Sequence, residues 1–371
     1  MLIYNSMIVW IAVLGLIYNR SMACKTSVIE NYDQSNKVPL YFAILVFGYI
    51  IFWVGMRSGV ADTATYILGF KAAPSNLSAI PRYWTSDDVK APGFETYKIL
   101  FKRFISKDYH PWLMSIAIFS GIPIMVTLRK HSVSFFYSAF LFVVTLNFTW
   151  MLNGIRQFLA AAVLFLLSDW IVKRKTIPFI IAVLLMSTIH YTIIIMIPMY
   201  FIATGKPFGP KALLFIVVLL GCVIFLNPFL SAMETSLADT GYEGFREQFE
   251  VDDGVNPLRV VVGLVGPAIA FIGRRRIEEK NDPYINVCIN MSLISAGLYF
   301  LGVFTSGILM GRLPIYFELY NLILLPYLFK NCFNEHSVKP MFILCAVGFL
   351  LYYYLQTSGL YYISDITGLI S

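Results

Sequence analysis

The chain has 371 residues, 58% of them hydrophobic and only 13% charged, with a mean hydropathy of +0.72. A soluble domain carries about 25% charge, so this composition excludes a water-soluble enzyme and describes a polytopic membrane protein. The net charge of +7 does not imply nucleic acid, because the cytoplasmic loops of membrane proteins carry an excess of Lys and Arg.

A membrane-crossing helix needs about 17–25 predominantly apolar residues. Such runs recur near 2–18, 39–56, 111–128, 134–151, 154–172, 211–230, 258–273, 284–304, 309–329 and 340–357. The first lacks a basic leader and a small-residue cleavage site and reads as a retained helix. The segment 177–203 has His190 at its middle and Pro198 further on, and reads as two short passes, 177–189 and 191–203, meeting at His190. This gives an all-α polytopic membrane protein of about twelve transmembrane helices, with residues 1–371 forming a single integral membrane domain.

Loop charges orient it. With the N-terminus outside, the inner loops hold Arg20, Lys25 and Lys37, then Arg129 and Lys130, Lys173 to Lys175, Lys206 and Lys211, Arg274 to Arg276 and Lys280, and Lys330 and Lys339. The short outer loops hold almost no Lys, as the positive-inside rule requires. Two outer segments are longer and are expected as extracytoplasmic loops. Residues 57–110 include PGFETYKILFKRFI, whose Phe94, Tyr97, Leu100, Phe101 and Phe104 recur at the spacing of an amphipathic helix lying on or re-entering the membrane. Residues 231–257 are acidic, with seven carboxylates against Arg246, and carry Tyr242, Phe245 and Phe249 at helical spacing.

Within MLNGIRQFLAAAVLFLL, Asn153, Arg156, Gln157 and Ala160 fall at i, i+3, i+4 and i+7, one face of a helix. A guanidinium at the centre of a membrane helix costs about 2.5–3.5 kcal/mol by insertion scales, which an anion site facing a wet cavity would offset. Snorkelling to the headgroups is the simpler alternative. Away from residues 57–110, every outer basic residue is an Arg: Arg156, Arg246, Arg259 and Arg312; Arg57 closes the second span in the same way. Lys would anchor a helix end as well, whereas Arg grips phosphate or carboxylate in two places. Helix-end arginines on one side therefore point to a polyanionic headgroup, with interfacial anchoring as the alternative. Asp62 and Tyr66 are four apart. Asp62 is either a helix N-cap or a partner or base. His190 is either a buried structural residue or a base, and Glu318 is open in the same way, with pairing to an Arg as its simplest role. Tyr316 and Tyr320 follow Arg312 at i+4 and i+8. The five cysteines are scattered, with no CxxC and no Cys/His cluster, so neither a metal site nor a disulfide framework is indicated.

Four stretches in this order, RSGVADTATYILGF, LNGIRQFLAAAVLF, STIHYTIIIMIP and GRLPIYFELYN, resemble the EpsG family, which is grouped with the Wzy-type polymerases of bacterial surface polysaccharides. Arg57, Gly59, Asp62 and Tyr66 match its first element, Asn153, Arg156, Gln157 and Ala160 its second, His190 its third, and Arg312, Tyr316 and Phe317 its last. Two departures stand out: Ile189 sits where an aromatic is common, and Leu-Pro-Ile separates Arg312 from Tyr316. The resemblance implies a GT-C-like, metal-independent membrane glycosyltransferase without a cofactor, sited in the bacterial cytoplasmic membrane. It would join undecaprenyl-pyrophosphate-linked repeat units of an O-antigen, capsule or exopolysaccharide at the outer face. Arg57, Arg156, Arg259 and Arg312, with Asn153 and Gln157, would bind pyrophosphate, Tyr66 and Tyr316 the sugar, and Asp62 or His190 would take the acceptor proton. A chain-length regulator and a flippase are the expected partners. A lipid-linked oligosaccharide flippase, a membrane O-acyltransferase and a non-enzymatic scaffold are the rival readings. Large asymmetric outer loops without repeats tell against the first, the lack of a His-rich cytoplasmic motif against the second, and a scaffold would tolerate loss of Arg156.

Overall fold

The computed structural model describes residues 1–28, 37–86, 88–226, 254–305 and 310–370, with isolated positions at 228, 231–232, 235 and 307; the side chains of 22–28 and of Glu335 are not described. The acidic residues expected between 231 and 257, with Arg246, Tyr242, Phe245 and Phe249, lie outside the described residues. The described chain is all-α apart from one short hairpin, Ile363–Ser364 against Leu369–Ile370.

Along the chain the helices are α1 Leu2–Val28, α2 Leu40–Gly55, α3 Thr63–Ala72, α4 Ile80–Thr85, α5 Pro92–Phe104, α6 Tyr109–His131, α7 Phe135–Val144, α8 Ile155–Leu166 and α9 Asp169–Val172. They continue as α10 Thr176–Ser187, α11 Met196–Ala203, α12 Pro210–Ile224, α13 Pro257–Ile272, α14 Arg274–Lys280, α15 Pro283–Val303, α16 Ile315–Glu318, α17 Asn321–Cys332 and α18 Glu335–Thr357. In one group α6 packs against α2 and α8 while α1 packs against α7; in the other α15 packs against α12, α13 and α17. Helix α15 has a well-fixed start and a buried amide that ties it to a neighbouring helix. Asp282 caps the amides of Tyr284 and Ile285 at 2.9 and 3.3 Å with Pro283 at the first helical position. Asn290 donates to the carbonyls of Ala203 and Gly205 at 3.1 and 2.8 Å, tying down the end of α11.

Four described helices are long and apolar enough to cross a membrane, or five if α13 and α14, bent by 71°, form one broken span. Several runs that read as continuous spans are interrupted. The run 134–151 becomes α7 and a 3₁₀ segment, Asn147–Met151, after a left-handed Leu146 with φ 67°. The run 309–329 becomes the 3₁₀ turn Met310–Arg312, α16 and the start of α17. Residues 177–203 do form two short arms. α10 rises to Ser187, and the chain turns at His190 and returns through the 3₁₀ segment Tyr191–Ile195 and α11. Both feet stay at one end, where Thr176 Oγ1 meets Tyr200 Oη at 2.8 Å and Arg174 donates to the Thr204 carbonyl at 3.3 Å.

That end carries the inner-loop charges expected from the sequence. Arg129 donates to the Val38 carbonyl at 2.8 Å, Lys130 pairs with Asp169, the His131 ring stacks on Tyr284 at 3.8 Å, and Arg276 donates to the Cys332 carbonyl at 2.7 Å. The opposite end carries residues 57–110. The amphipathic helix expected there is α5, and part of its apolar face packs on the protein. Phe94 and Phe101 are buried with Phe70, Trp112 and Leu113, and only Leu100, Phe104 and Ile105 stay exposed. The C-terminal hairpin is fastened to the same end. Ile363 exchanges hydrogen bonds with Gly59, and Asp365 accepts from Tyr109 Oη at 2.5 Å and meets His110 Nε2 at 2.8 Å.

Candidate active site

α8 and α10 each have 12 residues, about 18 Å at 1.5 Å per residue, which is shorter than an apolar layer of about 30 Å. The ends of the two that lie away from the basic end, at Arg156 and at Thr188 to His190, pack near one another. Polar side chains at those tips need partners within the fold.

Asn153 is not on the helix with Arg156 and Gln157, as the spacing suggested. Gly154 adopts φ 72°, a left-handed turn, and α8 starts only at Ile155. Asn153 therefore sits in the turn, with its Oδ1 buried and without a partner among the described residues. Gln157 and Arg156 then diverge. Gln157 Nε2 donates to the Arg312 carbonyl at 2.8 Å and so holds the 3₁₀ turn Met310–Arg312 against α8. Arg156 reaches the other way, hydrogen-bonded to Tyr66 and with its guanidinium carbon 5.8 Å from the Phe94 ring centre. Its Nε is buried without a partner among the described residues.

Asp62 occupies the N-cap position of α3 but makes no capping hydrogen bond. Its carboxylate faces Arg312, Oδ2 to Nη2 at 3.7 Å, with both side chains more than a third exposed. A pair so open contributes about 1 kcal/mol at most, so the contact leaves both groups free to meet a ligand. Tyr66, one turn after Asp62, lies within electrostatic reach of Arg156, Asp62 and Arg312; burial pushes its phenol up, against the pull of Arg156. At the tip of the α10–α11 hairpin, His190 Nδ1 meets Tyr316 Oη at 2.9 Å, and Thr192 Oγ1 contacts both, at 3.0 Å from Nδ1 and 2.8 Å from Oη. The charges of Arg156 and Arg312 both act on His190. Gly93, at the start of α5, closes the cluster from above. Its N–H donates to the Thr188 carbonyl at 2.9 Å, and a Cβ on it would overlap the Thr188 side chain.

Six of the expected residues thus converge from four separate stretches: Asp62 and Tyr66, Arg156, His190, and Arg312 and Tyr316. Gln157 braces them from behind. Three others lie elsewhere. Arg57 is 1% exposed, and its Nε donates to Thr63 Oγ1 at 3.0 Å and its Nη1 to the Val54 carbonyl. It stands behind Tyr66 and fixes the end of α2. Arg259 lies over the Trp150 ring at 5.5 Å, bonded to Tyr352 and within reach of the Glu318 carboxylate. Tyr320 is buried against Phe165 and does not share a face with Arg312, because the chain breaks between α16 and α17. Nothing in the sequence marks Thr192 or Gly93 as part of the cluster, and the spacing of Phe94 marks only an amphipathic face.

A family model, the EpsG family, matches residues 40–364, nearly the whole chain. The chain belongs to the EpsG family. EpsG is a Wzy-type polymerase-like family. No curated protein and no solved structure matches the chain. All six clustered residues fall inside the EpsG match, as do Arg57 and Arg259. Among the described residues there is no group of His, Cys, Asp and Glu able to hold a metal ion.

Proposed function

We propose that the chain is a polysaccharide polymerase that joins undecaprenyl-pyrophosphate-linked repeat units at the extracytoplasmic face of the cytoplasmic membrane. The observation carrying this reading is the meeting of Arg156 and Arg312 with Asp62, His190, Tyr66 and Tyr316 at the end opposite the Lys/Arg-rich loops. By the positive-inside rule that end faces outward, where a lipid-linked repeat unit would be presented.

In this reaction a hydroxyl oxygen of the acceptor repeat unit attacks the anomeric carbon of the donor chain. The new glycosidic C–O bond forms as the anomeric bond to pyrophosphate breaks, and undecaprenyl pyrophosphate leaves with the bonding electrons. Arg156 and Arg312, held before the substrate arrives, stabilise the charge that gathers on the leaving oxygens. Asp62 or His190 receives the hydroxyl proton; Tyr316 and Thr192 hold the His190 ring in place. Tyr66 offers a face to the sugar.

The test is purified protein with a lipid-pyrophosphate-linked repeat unit in the presence of a chelator, read by gel and mass spectrometry. A product ladder of one-repeat steps with release of lipid pyrophosphate is expected. Movement of the lipid across a vesicle bilayer with no ladder would replace the polymerase by a flippase. Asp62→Asn and His190→Gln identify the proton acceptor, which is the one whose loss removes the alkaline-favoured limb of the pH–rate profile.

A further inference from the structure

The polymerisation just described needs two lipid-linked substrates at once, and the cluster at Arg156 and Arg312 accounts for one pyrophosphate. A second route leads into the protein beside it. A cleft next to Ala61 and Asn153 runs down to Arg259. Arg259 also walls an inner cavity of about 40 Å³, lined by Trp150, Tyr299, Glu318 and Tyr352. Three buried polar atoms in its surroundings, Asn147 Oδ1, Ser295 Oγ and Glu318 Oε1, have no partner among the described residues. The far wall of that cavity, Val262, Phe349 and Tyr352, is also the inner wall of an apolar groove of about 370 Å³ between α13 and α18. The two helices barely touch, and Gly348 in mid-α18 has nothing within 4 Å of where its Cβ would be. The outer rim, Val261, Leu344, Leu351 and Leu355, is exposed and apolar, so the groove opens sideways to lipid.

We propose that this groove holds the polyisoprenoid tail of the second lipid-linked substrate, with Arg259 at its phosphate end. An apolar groove by itself does not select a ligand in a membrane, because bilayer tails are as apolar as its walls. Selection needs the fixed guanidinium at one end of the groove, which pairs with phosphate. The order of spaces, polar at Asn153, cationic at Arg259 and apolar between α13 and α18, matches the order of parts in a polyisoprenyl-phosphate sugar. This inference rests on the polymerase reading for its substrate but is tested without turnover.

Cys345 lies on the groove wall and Cys332 lies against Gly273 at the basic end, which supplies an internal reference. The intact protein in phosphatidylethanolamine–phosphatidylglycerol nanodiscs is alkylated with a maleimide, with and without added undecaprenyl phosphate, and both thiols are followed by peptide mass spectrometry. Undecaprenyl phosphate is expected to slow Cys345 relative to Cys332 by about tenfold. The same amount of extra phosphatidylglycerol is expected to leave the ratio unchanged. In Arg259→Gln the protection should fall away while the unprotected rate stays the same. Gly348→Leu fills the groove without strain, since Gly is the weaker helix former; it should lose the lipid effect and slow polymerisation about tenfold at unchanged thermal stability. Equal protection by phosphatidylglycerol, or none by undecaprenyl phosphate, would show ordinary boundary lipid and overturn the proposal. No product ladder from the unaltered protein would overturn the polymerase reading; normal polymerisation by Gly348→Leu beside an unaltered protein that makes the ladder would overturn the groove alone.

Discussion

The two arginines of the cluster differ from a set of cations at the basic end. There, several cations are satisfied by the protein's own oxygens: Arg129 with Val38, Lys130 with Asp169, Lys280 with Asn331, and Arg276 with Cys332 and Asn334 at 2.7 and 2.8 Å. At the opposite end Arg156 has a phenol and an aromatic face for company and a buried Nε without a partner, and Arg312 meets its carboxylate only at 3.7 Å. The first arrangement anchors loops and needs nothing more. The second leaves guanidinium groups pre-positioned and under-satisfied, an arrangement that costs stability unless an anion completes it. Charge alone does not set the cluster arginines apart from these cations; the supply of acceptors does.

The sharpest way to break this contrast is Arg156→Lys. If the fork is what matters, polymer formation falls about 10²–10³-fold with normal protein levels, because a point charge does not replace two parallel donors. Full-length polymer from the Lys or Ala variant would put Arg156 in the same class as the anchoring cations. Arg57 tests the contrast from the other direction. It lies at the site end, but its Nε and Nη1 donate to the protein's own oxygens and only Nη2 is without a partner among the described residues, so Arg57→Ala should lower unfolding stability in detergent by about 1–3 kcal/mol. A well-folded Arg57→Ala protein that makes no polymer would move Arg57 into the site.

Smaller effects sharpen the picture. Gly93→Ala forces the start of α5 away from Thr188 and should slow the reaction on the order of tenfold, since displaced groups lose alignment; the check is the initial rate of ladder formation at unchanged protein level. Tyr316→Phe removes the hydroxyl that His190 and Thr192 share. A loss of about three- to tenfold in kcat is expected, the worth of one neutral hydrogen bond, and steady-state kinetics at saturating substrate reads it. The smallest effect concerns the hairpin that fastens residues 57–62. Burial acts to raise the Asp365 carboxyl, but hydrogen bonds from Tyr109 and His110 win and hold it at about 2, below the ordinary 3.8. A depressed carboxyl contributes its stabilisation above the ordinary value and loses it as pH falls through the depressed one. Protease nicking near residue 360 should therefore stay constant above about pH 4 and rise between about pH 4 and 2, and Asp365→Asn should show no such rise.

The class of the protein and six of the residues that meet in the cluster are legible in the sequence because both depend on chemistry carried by single residues. Apolar runs cannot be hidden, and an Arg, Asp or His within them has few uses. The two-armed reading of 177–203 was also available, since a His and a Pro interrupt an otherwise uniform run. Residue spacing failed where the backbone leaves the regular helix. Asn153 was assigned to the Arg156 face and Tyr320 to the Arg312 face, yet a left-handed Gly154 and the break between α16 and α17 turn both away. The same limit explains why Arg57 and Arg156 looked equivalent. Each is a guanidinium at a helix end, and only the fold decides that one finds the Val54 carbonyl and Thr63 while the other meets Tyr66 and the Phe94 ring. Sequence determines which groups carry charge and that a membrane surrounds them. Tertiary structure decides which charges are neutralised by the chain itself, because hydrogen-bond partners come from elements far apart in sequence and are set by helix lengths and breaks that composition does not encode.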